Sequence, residues 1–300
     1  MNCITMAQFG KWGRFGNQLF QYAYLTGYAE RHGLTLQLPK WVGNELFGLK
    51  NDPVTAKLSP LLESTDCNMQ QAFPLKDGEL TGHDFMGYAQ YHTSFYAPDK
   101  ERIRGLFQPV PAIRERLHPA VAELMTSGGT VIGIHLRRGD YGQSIFPIIP
   151  TSWYLRWLKK NWDQFDRPSL FISTETPSLV DEFDDYAPFT SERLGVDLAK
   201  QPLNHYRYLV RDMKVREPWQ MDFYPDFHLL SHCDVILGPS STFSFAAAML
   251  NETLAEYWRA SLELVEFEKV DPWDAYPLLH EDVADFPHLE GIKLEGNPYW

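Results

Sequence analysis

Apolar residues come in short bursts along this chain, and their spacing changes from one burst to the next. Ile4 to Phe9 reads as a short strand. From Gln18 to Arg31 the apolar residues Leu19, Phe20, Ala23, Tyr24, Leu25 and Tyr28 cover nearly all sides of a 3.6-residue period, which predicts a buried helix. Arg31 and His32 suit its last turn, and Gly33 suits the position just beyond it. Leu34-Thr35-Leu36-Gln37-Leu38 then alternates as a strand does and stops at Pro39. The chain thus opens on a βαβ pattern. Between Gly43 and Gln108 turn residues are frequent and periodicity is weak, so no element is assigned there.

Beyond that stretch, His118 to Met125 reads as a helix, and Ser127-Gly128-Gly129 marks the expected domain boundary. This gives an N-terminal lobe over 1–127 and a C-terminal lobe over 128–300. Val131 to Leu136 is a continuous apolar strand broken only by His135. Ser152 to Trp162 is helical, with Thr151 or Ser152 as cap. Leu170-Phe171-Ile172 is a strand, and Thr176-Pro177 opens a helix with proline at its first position. Phe227 to Cys233 and Phe243 to Leu250 read as helices around the strand Val235-Ile236-Leu237. Strands alternating with helices predict an α/β protein with parallel sheets, whose ligands lie at the carboxyl ends of the strands.

Composition narrows the function. A chain of 300 residues, 44% hydrophobic, can bury a sizeable core and favours about two domains. Its net charge of −12 makes it a poor general ligand for nucleic acid or an anionic membrane. The three cysteines, Cys3, Cys67 and Cys233, form no CxxC, and their odd number argues for a reducing compartment over a disulfide framework. The first residues lack the pattern of a signal peptide, and no stretch approaches the roughly 20 apolar residues of a transmembrane helix. A cytoplasmic enzyme, peripheral to a membrane at most, is the expectation. Asn251-Glu252-Thr253 spells a glycosylation acceptor, read as coincidence in that compartment.

Three strand ends carry the candidate chemistry. Val131 to Gly142 delivers His135, Arg137, Arg138 and Asp140 to the end of a buried strand, where guanidinium groups offer paired donors to a phosphate or carboxylate. An ion pair of either arginine with Asp140, beside a satisfied core histidine, fits the same residues about equally well. Arg138-Gly139-Asp140 also spells an adhesion tripeptide, but that use needs an exposed loop rather than the end of a buried strand. After Gly238-Pro239, the hydroxyls of Ser240, Ser241 and Thr242 lead into an apolar helix. They suit an anion at a helix N-terminus, or ordinary capping. Gly10, Gly13 and Gly16 precede Asn17 in a strand–turn–helix of the same form, either a phosphate loop or a tight turn. The dinucleotide spacing, the GxxxxGK[ST] loop, HExxH, GxSxG and Asp-x-Asp are all absent. Phosphate-suited strand ends without a metal-bridging device point to an enzyme using a nucleotide-linked donor.

Taken together these motifs resemble the GDP-fucose-dependent fucosyltransferases. Gly13-Arg14-Phe15-Gly16-Asn17-Gln18, followed by Leu19-Phe20-Gln21-Tyr22-Ala23, resembles the N-terminal signature of the α-1,2 enzymes. The first six of these residues also resemble the protein O-fucosyltransferase signature. His135-Leu136-Arg137-Arg138-Gly139-Asp140-Tyr141 resembles the HxRRGDY motif shared by α-1,2 and α-1,6 enzymes. Ser240-Ser241-Thr242-Phe243-Ser244 resembles an SSFSWW-type motif, with Phe245-Ala246 where tryptophans are usual.

The resemblance implies a GT-B-like fold: two Rossmann-like lobes with the donor site in the cleft between them, the N-terminal lobe on the acceptor side. It implies metal-independent, inverting transfer of L-fucose from GDP-β-L-fucose to a glycan, most simply as an α-1,2 linkage, with no cofactor besides the donor. Arg137 would hold the β-phosphate, and His135 and Arg138 would contact the donor. Asp226 would read the guanine N–H groups. Ser240, Ser241 and Thr242 would bind phosphate. Gly13, Gly16 and Asn17 would close over the donor. Asp140 would act as base or else orient Arg137. The expected acceptor is a lipid-linked or free glycan, as in building a bacterial surface polysaccharide. A different linkage, a protein acceptor, or a silent carbohydrate-binding protein on the same fold are the alternatives.

Overall fold

The computed structural model describes residues 2–65, 71–139, 141–142, 146–195 and 223–279. They fall into two compact units that divide between Arg114 and Glu115.

The first unit opens on the expected βαβ. Strand β1 (Cys3–Thr5) runs parallel to β2 (Thr35–Gln37), and α1 (Phe15–His32) connects them. Helix α1 is buried on nearly every side, as its apolar pattern predicts, and it ends on Gly33 in the left-handed region with Arg31 and His32 in its last turn. Two bounds shift. β1 stops at Thr5 instead of running to Phe9, because Met6 and Phe9 are buried from turn positions and only imitate a strand. The helix starts at Phe15, so Gly16 and Asn17 lie within its first turn.

The stretch without periodicity supplies half of the first sheet. After α2 (Val42–Phe47) come β3 (Ser59–Leu62), the two-residue strands β4 (Ser64–Thr65) and β5 (Ala72–Phe73), then β6 (His83–Met86) and α3 (Lys100–Leu106). The sheet order is β2-β1-β6-β3, parallel throughout, while β4 and β5 form a small antiparallel ladder. β3 is exposed at three of its four positions and β6 is fully buried only at Phe85, so neither strand shows an apolar signal.

Helix α4 (Pro111–Thr126) crosses the division between the units, with Pro119 in its interior and not at its start. The second unit then alternates as expected: β7 (Thr130–Leu136), α5 (Thr151–Asn161), β8 (Pro168–Thr174), a 3₁₀ stretch (Pro177–Tyr186), α6 (Tyr224–Leu230), β9 (Val235–Gly238) and α7 (Thr242–Leu250). The helix expected at Thr176-Pro177 is the 3₁₀ stretch, broken at Phe183. Neither expected cap serves α5, since its flanking residue is Pro150 and the Thr151 hydroxyl bonds the Glu182 carboxylate instead. Strands β10 (Glu256–Ser261) and β11 (Glu266–Lys269) extend the sheet to the order β11-β10-β9-β7-β8, parallel except for β11.

Burial explains the central place of β7. Ile132, Ile134 and Leu136 point from one face into a core with Trp153, Tyr154, Trp157 and Leu158 of α5, joined by Leu170, Ile172, Val235 and Leu237 from the flanking strands. Burying each such side chain contributes about 1.5–3 kcal/mol. His135 lies on the opposite face, toward α7. Among the described residues no helix is long and apolar enough to cross a membrane. Asn251 of the glycosylation triplet is buried, and its amide donates to the Cys233 carbonyl at 2.7 Å, so it offers no acceptor for a glycan.

Candidate functional site

In a parallel sheet the chain leaves each strand at the same edge, so the residues just past β7, β8 and β9 gather there. The second unit brings together His135, Arg137 and Arg138 from β7, Glu175 from β8 and Ser240 from β9. The connecting contacts are direct. The Tyr141 hydroxyl donates to the Ser240 carbonyl at 2.8 Å, and the Arg137 guanidinium lies 5.3 Å from the Tyr141 ring centroid. The Tyr154 hydroxyl of α5 donates to the His135 carbonyl at 3.1 Å, fixing the end of β7 from the core side.

His135 is buried, its ring 5.0 Å from Phe243, which packs edge-on against Phe227 at 5.2 Å. Burial, with Arg137 and Arg138 nearby, holds its pKa well below the usual histidine value, so the ring is neutral at pH 7. Among the described residues Nδ1 of this ring has no hydrogen-bond partner. A neutral imidazole with one unoccupied nitrogen can donate to or accept from a ligand, according to its tautomer.

Glu175 is the residue that the sequence reading missed. Its carboxylate accepts from Arg137 Nη1 at 2.9 Å and from the Arg138 backbone N–H at 3.2 Å. Gly139 has φ +56°, and a Cβ there would lie 2.5 Å from Glu175 Oε1, so the turn closes around this carboxylate. Arg138 in turn donates from Nη1 to the Arg137 carbonyl at 2.9 Å. The one available signal was an acid directly after the strand Leu170-Phe171-Ile172-Ser173-Thr174. Asp140, expected here as base or as Arg137's partner, lies outside the described residues.

The hydroxyl run has local duties. Ser241 caps α7 by accepting from the Phe243 N–H, and Ser240 Oγ accepts from the Leu279 N–H at 2.7 Å. Thr242 is the first residue of α7. Asp226 stands in the first turn of α6, beside the Phe227 that joins Phe243 and His135.

Gly13, Gly16 and Asn17 belong to the first unit. Gly13 has φ +84°, a conformation a side chain would strain, and a Cβ there would overlap the Asn17 side chain. Asn17 Oδ1 accepts from Gln90 Nε2 at 2.8 Å. Among the described residues no group of three or more His, Cys, Asp or Glu side chains is arranged to hold a metal ion.

Two α/β units, each built on a mostly parallel sheet with polar residues at the strands' carboxyl ends, give the chain a GT-B-like architecture. No family model matches the chain. It is similar to galactoside alpha-(1,2)-fucosyltransferase 1 of Alouatta caraya, 24% identical over 322 aligned positions that cover 96% of this chain and 75% of the relative. Its fold is similar to that of the fucosyltransferase NodZ from Bradyrhizobium, with TM-score 0.52, 13% identity and coverage of 91% of this chain and all of the other. It is similar also to the NodZ alpha-1,6-fucosyltransferase soaked with GDP-fucose, with TM-score 0.50, 14% identity and coverage of 89% and 96%. The motif order, the sequence relatives and the fold neighbours agree on a similarity to fucosyltransferases.

Proposed function

We propose that this protein transfers L-fucose from GDP-β-L-fucose to a glycan hydroxyl, with inversion and without a metal ion, forming an α-1,2 linkage. The observation that carries the reading is the pair of guanidinium-bearing residues, Arg137 and Arg138, at the end of β7 beside the neutral, buried His135. Breaking the sugar–phosphate bond leaves negative charge on the β-phosphate. A cation already fixed in place stabilises that charge more in the transition state than in the ground state, with no reorganisation at the moment of reaction. Arg137 is so fixed, by Glu175 and the Tyr141 ring.

His135 then contacts the donor through Nδ1, which has no partner among the described residues. Arg138, Asp226, Ser240, Ser241 and Thr242 complete the donor side, and Gly13, Gly16 and Asn17 are further proposed donor residues. Asp140 is the proposed base. It takes the proton of the attacking hydroxyl as the bond from the acceptor oxygen to the sugar carbon forms and the bond to phosphate breaks.

The α-1,2 linkage rests on the name of the sequence relatives, and the α-1,6 name of the structural neighbour favours the second reading, another linkage. The cysteine usage favours a reducing compartment as the place of reaction. Incubation with labelled GDP-fucose, a panel of β-galactosides and a chelator, followed by linkage analysis of the product, tests the proposal. A 2-O-fucosylated galactoside is expected. Fucose attached elsewhere overturns the linkage, and transfer that requires added metal overturns the metal-free reaction.

A further inference from the structure

The first unit devotes buried polar groups to two loops that carry partly exposed aromatic side chains. Strands β1 and β6 are parallel neighbours, and the loops that follow them carry Trp12 and Tyr88. The two rings lie 5.6 Å apart at 56°. Trp12 is half-buried and Tyr88 is 40% exposed, so the pair caps no core.

Beneath the pair the backbone is pinned from below. The buried amide of Gln21 donates from Nε2 to the Trp12 carbonyl at 2.9 Å and to the Gly87 carbonyl at 3.0 Å, tying the two loops together. The buried carboxylate of Glu63 accepts from the Tyr88 N–H at 2.7 Å and the Ala89 N–H at 2.9 Å. A Cβ at residue 87 would meet the Glu63 carboxyl carbon at 2.4 Å, so only glycine allows that approach. Ala89 has φ +52°, and its carbonyl accepts from the buried Tyr96 hydroxyl.

Two of these features cost stability by themselves. A carboxylate removed from water is expensive, and a non-glycine residue at positive φ costs on the order of 1–3 kcal/mol. Such costs persist where a surface must be held in one geometry. The loops' position, past the carboxyl ends of parallel strands, is where open α/β sheets bind ligands.

We propose that Trp12 and Tyr88 form a stacking platform for a pyranose ring of the glycan acceptor, an inference that rests on the proposed function. The tilted rings offer rigid apolar faces to the C–H face of a sugar, at low entropic cost. The Gln90 amide, two residues beyond Tyr88 and held by Asn17 at 2.8 Å, supplies a planar polar group of the kind that hydroxyls need.

The test is saturation-transfer NMR on the full chain with GDP present. The probes are methyl β-galactoside, methyl β-glucoside and methyl β-N-acetylglucosaminide, and GDP affinity is measured by calorimetry on the same samples. At least one glycoside is expected to receive saturation on its ring C–H protons. Its affinity is expected to fall about tenfold or more in Trp12→Ala and Tyr88→Ala and to survive in Tyr88→Phe, while GDP affinity is unchanged. If an alanine variant does not fold, the Trp12 indole N–H resonance of the unsubstituted protein reads the same contact, and it should shift on titration with the glycoside. Undiminished glycoside binding in the folded alanine variants, an unmoved indole resonance, or no binding of any probe overturns the platform. Failure of GDP to bind instead strikes the donor reading, and leaves the platform to be judged on the glycoside signals alone.

Discussion

At the scale of single residues, two groups at the end of β7 make opposite demands on charge. Arg137 must stay cationic, and it is held by Glu175 at 2.9 Å. His135, near the carboxyl end of the strand, must stay neutral because burial and both arginines oppose its protonation. Replacing Arg137 with alanine should lower turnover by about 10²–10³-fold, the effect of removing one preorganised donor to a developing anion. Steady-state kinetics with GDP-fucose measure it, and wild-type turnover would remove Arg137 from the reaction. Asp140→Asn should abolish most transfer while leaving GDP affinity intact, and near-normal turnover would show that the chemistry needs no carboxylate base there.

His228 gives a separate, structural prediction. Burial, with His232 beside it, pushes its pKa down to about 3. The unfolded chain takes up a proton near pH 6.5, and the folded one does not until near pH 3. Stability that is complete above pH 6.5 is therefore lost as pH falls through that window, by at most about 1.4 kcal/mol per pH unit for this residue. Urea titrations between pH 7 and pH 5 should show a shallower loss in His228→Leu, and an unchanged slope would show that His228 is protonated in the folded state.

Among the elements, the turn after β7 depends on backbone conformation as much as on side chains. Gly139 lies at φ +56° with Glu175 against it, so Gly139→Ala meets strain and a close contact together. A cost of about 1–3 kcal/mol is expected, measurable as a lower urea midpoint at unchanged slope. Activity should fall further than stability explains, because Arg137 is aimed by the same turn. Undiminished stability and activity in the Gly139→Ala variant would show that the turn tolerates rearrangement.

The legibility of the elements follows from burial. β7 and α1 are buried on nearly all sides, so their apolar runs announce them. β3 shows one half-buried position among exposed ones, and β6 one fully buried residue, so no period marks them. β10 alternates only partly before three buried residues and follows a loop without turn glycines. The site was legible wherever one strand carries several of its residues, as β7 carries His135, Arg137 and Arg138. Glu175 and the Trp12–Tyr88 pair come together only through strand pairing, and no single stretch of sequence contains that pairing.

For the whole molecule, the two units have different chemistry at their strand ends. The second unit gathers cationic groups near a histidine nitrogen that has no partner among the described residues, while the first presents aromatic rings and amides. A transferase needs both kinds of surface, one for a nucleotide diphosphate and one for a sugar. With a net charge of −12, the local cationic groups must outweigh the field of the whole chain for a diphosphate to bind. Which nucleotide binds, and without what help, therefore decides whether the second unit holds a GDP-linked donor. The most direct measurement is calorimetry with GDP, UDP and ADP in the presence of a chelator. GDP is expected to bind, and UDP and ADP much more weakly or not at all. Equal binding of all three, or GDP binding that appears only when a divalent metal is restored, would contradict it.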